Sequence, residues 1–480
     1  MVERVRRDKA MLAKEIIKQG KIAFGTSGAR GLVADFTPKI CTAFTTSFLS
    51  SNDSYNRVAI GIDNRPSSPK IASDCIRAAK ALGIDVDYYG VLPTPALAYQ
   101  SMHDGIPSIM ITGSHIPFDR NGIKFYRPDG EITKADEQAI LNSCAEVNAQ
   151  SLQNSQELTL PEVSQTAVDN YIKRYTDIYP SYLLKNKRIG IYEHSSAGRD
   201  VYPHIFGALG AEVVSLGRSD TFVPIDTEAV AQSDIDQAKA WTKELNLDAV
   251  FSTDGDGDRP LLSDETGEYL RGDILCLLAA KNLHIEALAV PVSCNSAIEQ
   301  CGEFKTTVRT KIGSPYVIEA FAELNNIHNA VAGFEANGGF LLASDIKINQ
   351  QTLKALPTRD AVLPVLAVLS NPNGVTVQVE ALPSIYTASN RIQGIAREDT
   401  LVLIEKVKAD PRFLMNKIGI QEATVINANT VDGYRMTLST CDVIHLRPSG
   451  NAPELRCYIE SSSKSQAESM VSNIINTIRN

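Results

Sequence analysis

In the stretch Ser252-Thr253-Asp254-Gly255-Asp256-Gly257-Asp258-Arg259-Pro260 three carboxylates occupy alternate positions, with glycines between them and an arginine after the last. Charges this close repel, and glycine spacers let three hard oxygen ligands converge on one divalent cation. A calcium loop of the EF-hand type is a poor match. Glu265 falls at its twelfth position, but Arg259 stands at the sixth, where the turn needs glycine, and the apolar DAVFST before it is strand-like rather than helical. A solvated acidic turn is the plainer alternative.

Four other stretches carry chemical groups. In SIMITGSHIPFDRNGIKFY an apolar strand runs into Thr112-Gly113-Ser114-His115, with Lys124 ten residues after Ser114. These are the parts of an activated nucleophile, although a strand-end turn with a capping serine reads the same way. G-x-S-x-G is absent from this stretch, so it is not the nucleophile elbow of hydrolases. In RPSGNAPELR, Arg447, Ser449, Gly450, Asn451 and Arg456 could cradle phosphate, or the turn could be an ordinary proline–glycine connection. Glu335 and Asn337, on the turn GFEANGG, could hydrogen-bond a pair of sugar hydroxyls. Arg30 is the one obvious chemical group of FGTSGARG, which is neither a dinucleotide fingerprint nor a P-loop.

These groups need elements to hold them, and the pattern is strand and helix in alternation, the mark of α/β layering. RVAIGID (57–63) reads as a buried strand before a helix over 69–82, and VDYYGVLPTPAL with PSIMITGSH completes the round. A second round runs from KRIGIYEH to DAVFSTDGDGD, and a third from LAVPVSCN to AVAGFEANGGFLL. Each puts a polar or glycine-rich turn after an apolar strand, at the carboxyl ends where open α/β sheets bind ligands. Beyond about residue 372 the pattern changes. NPNGVTVQVEALPSIY reads as an edge strand and loop, REDTLVLIEKVKAD as a helix, DVIHL and ELRCYIES as antiparallel strands, and SQAESMVSNIINTIRN as a closing helix. The expected division is 1–155, 156–275 and 276–372, all α/β, then 373–480, an α+β domain.

Composition limits the partners. The chain has 480 residues, enough for about three or four domains, and a net charge of −9 that argues against nucleic acid. An anionic ligand would have to be captured by local cations and backbone amides. No apolar run is long enough to span a membrane, and the charged N-terminal stretch reads as an amphipathic helix rather than a signal. Eight scattered cysteines without a CxxC fit free thiols in a reducing compartment, so a cytoplasmic location is expected. Monomer and dimer remain equally open.

Taken together and in order, FGTSGARG, TGSHIP, DGDGDR, EANGG and RPSGNAPELR resemble the motifs of the α-D-phosphohexomutase family, over nearly the whole chain. The resemblance implies three similar mixed α/β domains and a fourth of different build around a central cleft. It implies phosphate carried on Ser114, and one Mg²⁺ held by Asp254, Asp256 and Asp258 with an oxygen on phosphorylated Ser114 as the fourth ligand. Lys124 would transfer protons, His115 would support the serine loop, and Arg30 would lie near the reacting phosphate. Glu335 and Asn337 would grip sugar hydroxyls. Arg447, Ser449, Gly450 and Asn451 would hold the non-reacting phosphate, with Arg259, Arg456 and the turn Thr310–Gly313 lining the cleft. The implied reaction interconverts hexose 1-phosphate and hexose 6-phosphate, of mannose or glucose, through a hexose 1,6-bisphosphate that also serves as activator.

Three departures stand out: Asn337 and Gly339 replace a common serine and histidine, Asn451-Ala452 replaces Thr-Glu, and Gly113 and Ile116 replace Ala and Asn. They keep two alternatives in view, a phosphoglucosamine mutase and a phosphosugar-binding homologue without turnover. A metal-dependent phosphatase, with water as the acceptor, is a third.

Overall fold

A computed structural model describes residues 11–25, 28–52, 54–147, 159–420, 422–449 and 453–479. The apolar run of the strand Arg57–Ile62 is buried from Val58 onward, as a central parallel strand covered on both faces must be. It pairs in parallel with Asp85–Val91 and Ser108–Ile111. Ser108–Ile111 then turns back antiparallel into Arg120–Arg127, which pairs with Ala29–Leu32 of an N-terminal hairpin.

The next two sheets repeat that plan. Arg188–Tyr192 lies parallel to Glu212–Leu216 and Ala249–Thr253, and Ala249–Thr253 turns back into Pro260–Leu262. Ala287–Pro291 lies parallel to Thr306–Thr310 and Val331–Phe334, and Val331–Phe334 turns back into Phe340–Leu342. The Ser114, Asp254 and Glu335 loops are therefore one structural position used three times: the turn joining the last parallel strand to its antiparallel return. The fourth sheet is wholly antiparallel, in the order Tyr386–Gln393, Glu454–Ser461, Val443–Pro448, Tyr434–Leu438 and Val425–Asn429. The α/β architecture with a C-terminal α+β unit is as expected.

One apolar cluster runs from Leu97 in the first sheet's layer through Tyr171, Phe206 and Phe251 to Leu278, Phe340 and Leu366. The antiparallel domain has a separate core around Met436, Leu446, Ile459 and Ile474.

Two expectations meet a different outcome. The 371–386 stretch, expected as an edge strand and loop, instead holds the helix Val375–Glu380, and the strand begins only at Tyr386. The cause is tertiary: Glu265 accepts hydrogen bonds from the backbone amides of Val375 (2.5 Å) and Thr376 (2.9 Å) and from the Thr376 hydroxyl (2.6 Å). A carboxylate at a helix N-terminus satisfies donors that the helix cannot, and here it outweighs the β preference of valine. The first helix is Ala13–Gln19, preceded by the short strand Met11–Leu12 paired with Glu146–Val147, and residues 1–10 of the expected helix lie outside the described residues. So does the division point near 155. The point near 275 falls in the first turn of the helix Gly272–Asn282, and the point near 372 between Val362–Leu369 and Val375–Glu380. Among the described residues no helix is long and apolar enough to cross a membrane.

Candidate active site

The strand Ser108–Ile111 delivers Ser114 to the site in a left-handed backbone conformation, φ 54°, which costs energy for a residue with a Cβ. Hydrogen bonds from the loop's surroundings hold it there. The Ser114 amide donates to Thr112 Oγ1 (2.8 Å), and Arg65 Nη2 donates to the Ser114 carbonyl (2.9 Å). Arg65 is buried, donates also to the carbonyls of Ile116, Pro117 and Arg120, and packs over the Phe222 ring. Gly113 is explained by this clamp: a Cβ there would lie 2.5 Å from Arg65 Cζ. Its use is room rather than backbone freedom.

The turn after Ala249–Thr253 brings the aspartates to the same place. Ser114 Oγ donates to Asp254 Oδ2 at 2.6 Å. Lys124 Nζ, on the returning strand, donates to Asp256 Oδ2 (2.6 Å) and Asp258 Oδ2 (2.8 Å). The Thr94 hydroxyl also donates to Asp256 Oδ2, at 2.5 Å. Gly255 lets the two loops touch, since a Cβ there would sit 2.7 Å from the Ser114 carbonyl. Oxygens of Asp254, Asp256 and Asp258 lie within 4.8 Å of one another, and Asp256 Oδ1 and Asp258 Oδ1 are buried with no hydrogen-bond partner. Buried carboxylate oxygens without donors are sites for a cation, and an all-oxygen set is of the kind Mg²⁺ takes. The residues fit the expected metal.

The charges are strongly coupled. Burial, with Asp256 and Asp258 beside it, pushes the Asp254 carboxyl well above the usual range. Burial acts the same way on Asp258, but Lys124, Arg359 and Arg259 outweigh it and hold that carboxyl below its usual range. Lys124 loses to burial less than it gains from Asp256 and Asp258, so it is raised and carries its charge. Burial, reinforced by Arg259 and Arg30, holds His115 down at about 2. Its neutral ring places Nδ1 2.9 Å from Arg259 Nη1, from which it accepts a hydrogen bond. His115 thus orients Arg259 and does not supply a proton at neutral pH. Burial lowers Arg30 to about 10, still cationic at neutral pH.

The third hairpin turn places Glu335 on Arg359 Nε (2.8 Å), and Arg359 Nη1 reaches Asp258 Oδ2 (3.1 Å), so the Glu335 carboxylate is tied to the aspartate loop. Asn337 Oδ1 accepts from the Gly339 amide, its own turn. The Thr310 hydroxyl donates to the Lys311 carbonyl, and Gly313, φ 129°, precedes the helix Ser314–Leu324. In the C-terminal domain Arg447 Nε lies 3.3 Å from Asp432 Oδ2, the Ser449 amide donates to the Glu454 carbonyl, and Arg456 pairs with Glu454 at 3.5 Å. Gly450 and Asn451 lie outside the described residues. Burial, with Asp226 beside it, raises the Glu228 carboxyl, and Arg271, Arg259 and Arg456 oppose that rise.

Four family models match successive parts of the chain: the phosphoglucomutase/phosphomannomutase α/β/α domains I (21–151), II (169–267) and III (271–378), and the C-terminal domain (380–477). The chain belongs to the phosphoglucomutase/phosphomannomutase family. Within this α-D-phosphohexomutase family it is 54% identical to a phosphomannomutase of Salmonella muenchen over 97% of both chains. It is 43% identical to one of Sinorhizobium fredii, over 93% of this chain and 97% of that one. Proteins named phosphoglucosamine mutase are only distant relatives. A solved structure named as a putative phosphomannomutase of Thermus thermophilus shares the fold, with TM-score 0.74 and 19% identity over 96% of this chain and 99% of that one.

Sequence reasoning passed over Arg65, Arg359 and Thr94, all part of this phosphohexomutase site. Arg65 had a signal, since DNRP ends the buried strand Arg57–Ile62 just as TGSH ends Ser108–Ile111. Arg359, inside the strand Leu356–Asp360, had none.

Proposed function

We propose that the protein interconverts hexose 1-phosphate and hexose 6-phosphate, mannose phosphate first and glucose phosphate second, through phosphoserine at Ser114. The observation that carries this reading is Ser114 Oγ, 2.6 Å from Asp254, on a clamped loop beside a cationic Lys124. Phosphoryl transfer asks a protein mainly for alignment and for charge to offset the equatorial oxygens. Arg30 and Lys124 supply charge at the reacting end. The bond between Ser114 Oγ and phosphorus breaks as one forms to a free sugar hydroxyl, and the hydroxyl proton passes to Ser114 Oγ. The bisphosphorylated sugar then turns and returns its other phosphate to Ser114.

Asp254, Asp256 and Asp258 would hold one Mg²⁺, which when bound offsets charge on the transferred group. Arg447, Ser449, Gly450, Asn451 and Arg456 would receive the non-reacting phosphate, and Glu335, Asn337, Arg259 and the Thr310–Gly313 turn would face the sugar. The four units of this reading divide near 155, 275 and 372, and the enzyme acts on a small phosphosugar in the cytoplasm. The test is Ser114→Ala, assayed with mannose 1-phosphate and a hexose bisphosphate activator. Turnover should fall at least about a thousandfold, and intact mass should show one labile phosphate lost with the substitution. Wild-type turnover in the alanine variant would sink the reading, and stoichiometric release of inorganic phosphate by the unaltered protein would mean that water is the acceptor.

A further inference from the structure

Asp432 lies in the turn between the strands Val425–Asn429 and Tyr434–Leu438 of the C-terminal domain. Its Oδ2 touches two groups of different origin. One is Arg447 Nε of the same domain at 3.3 Å; the other is the backbone amide of Ile312 at 3.1 Å, in the turn Thr310–Gly313 of the third domain. The Asp432 turn is itself fixed against the Arg447 strand. His445 Nε2 lies 2.7 Å from the Asp432 carbonyl, and a Cβ on Gly433 would sit 2.2 Å from the Leu446 carbonyl.

Other ties join these two domains. Asn295 reaches the Ile385 carbonyl and the Thr387 hydroxyl, and the Ser296 amide reaches Glu460, to which Arg435 is also drawn. None of those residues is assigned to the site. Among the described residues, the Asp432 contact alone joins a proposed sugar-facing turn to a proposed phosphate-holding arginine.

We propose that Asp432 is a positioning residue: it aims the Arg447 guanidinium at the non-reacting phosphate only when the C-terminal domain is seated on the Thr310–Gly313 turn. The proposal rests on the reading that Arg447 meets substrate phosphate. One carboxylate oxygen contacts both partners, so in a domain displaced from the turn the Asp432 backbone stays fixed against the Arg447 strand while its side chain loses the Ile312 bond that orients it, and with it the Arg447 guanidinium. Phosphate affinity is thereby linked to closure, as a bisphosphorylated intermediate needs if it must turn without escaping.

The experiment is steady-state kinetics with mannose 1-phosphate on the full chain, comparing wild type with Asp432→Ala, Asp432→Asn, Arg447→Ala and the Asp432→Ala/Arg447→Ala pair, with thermal midpoints alongside. Asp432→Ala should raise KM about tenfold with kcat changed by no more than about twofold, the scale of one charge-assisted contact. Asp432→Asn keeps an acceptor for Ile312 but loses the charge, and should fall between; it also carries the test if the alanine variant does not fold. The double variant should match Arg447→Ala alone. Unchanged KM at both Asp432 variants, full additivity with Arg447→Ala, or a proportional loss of kcat and thermal midpoint with KM unmoved overturns the proposal. If Arg447→Ala itself leaves KM unchanged, the phosphate reading of that loop fails and this one falls with it.

Discussion

A single buried arginine holds the Ser114 loop in place. Arg65 ties Asp63 to four carbonyls of the 114–120 loop, at distances of 2.5 to 2.9 Å to those carbonyls. Both members of the Arg65–Asp63 pair are fully shielded from water, so removing one leaves an uncompensated buried charge. Arg65→Met should therefore lower stability by about 3–5 kcal/mol in urea unfolding. It should also reduce kcat more than KM, because the alignment of Ser114, not phosphate binding, is what it supports. A variant with wild-type kcat would show that the loop holds its left-handed turn unaided. Gly113 and Arg65 form one device, and only Gly113 was visible as a departure in the sequence, without its reason.

At the scale of elements, the short helix Val375–Glu380 exists because of a residue more than a hundred positions earlier in the chain. Its sequence, VTVQVE, favours a strand by composition, and Glu265 supplies the acceptors that its first turn lacks. Glu265→Ala should lower the unfolding midpoint by an amount equivalent to about 1 kcal/mol, the usual worth of a cap, with mutase kinetics unaltered. No change in the midpoint would mean that the buried Val375 and Gln378 suffice to hold the helix. The other elements follow their local pattern more closely, the helix expected over 69–82 being Ser68–Ala81 and that of REDTLVLIEKVKAD being Arg397–Ala409. Long periodic segments carry their own instructions; a six-residue helix does not.

For the whole molecule, the three α/β sheets share a continuous apolar cluster, reinforced by polar ties. The hydroxyls of Tyr171 and Tyr175 both donate to Asp360, and Glu131 accepts from Ser314 and Thr358. The C-terminal domain has its own core, and the contacts cited above with the third domain are polar, the kind of boundary across which domains move. Acid should act on the molecule through buried histidines in both parts. Burial holds His194 and His445 near about 4, against a usual 6.5, although each has a ring nitrogen bonded to a carbonyl. Between those values the unfolded chain binds a proton that the native chain does not. Their contribution is thus complete above about pH 6.5 and declines as pH falls toward 4, by about 1.4 kcal/mol per pH unit for each group. Urea midpoints at pH 7, 6 and 5 should drop accordingly, and His445→Gln should flatten the fall in the transition of the C-terminal domain. An unchanged slope in that variant would place the acid sensitivity elsewhere.

The sequence by itself determined the alternation of strand and helix and, through the order of its motifs, the family and so the reaction class, and it singled out Ser114 and the Asp254, Asp256 and Asp258 triad as the groups to examine. Each of these is a local matter: a residue type at a fixed spacing, placed after an apolar strand, where backbone geometry alone aims it. Tertiary structure decided the charge states and the couplings. Lys124 keeps its charge although buried because Asp256 and Asp258 reach it from another sheet, and burial with Arg259 and Arg30 holds the His115 imidazole far below its usual range. Arg359 binds the aspartate loop to Glu335 from within a strand that carries no motif. Spacing along a chain orders the groups that a loop presents, but the field at each group is a sum over neighbours in space, and that sum exists only once the sheets have packed.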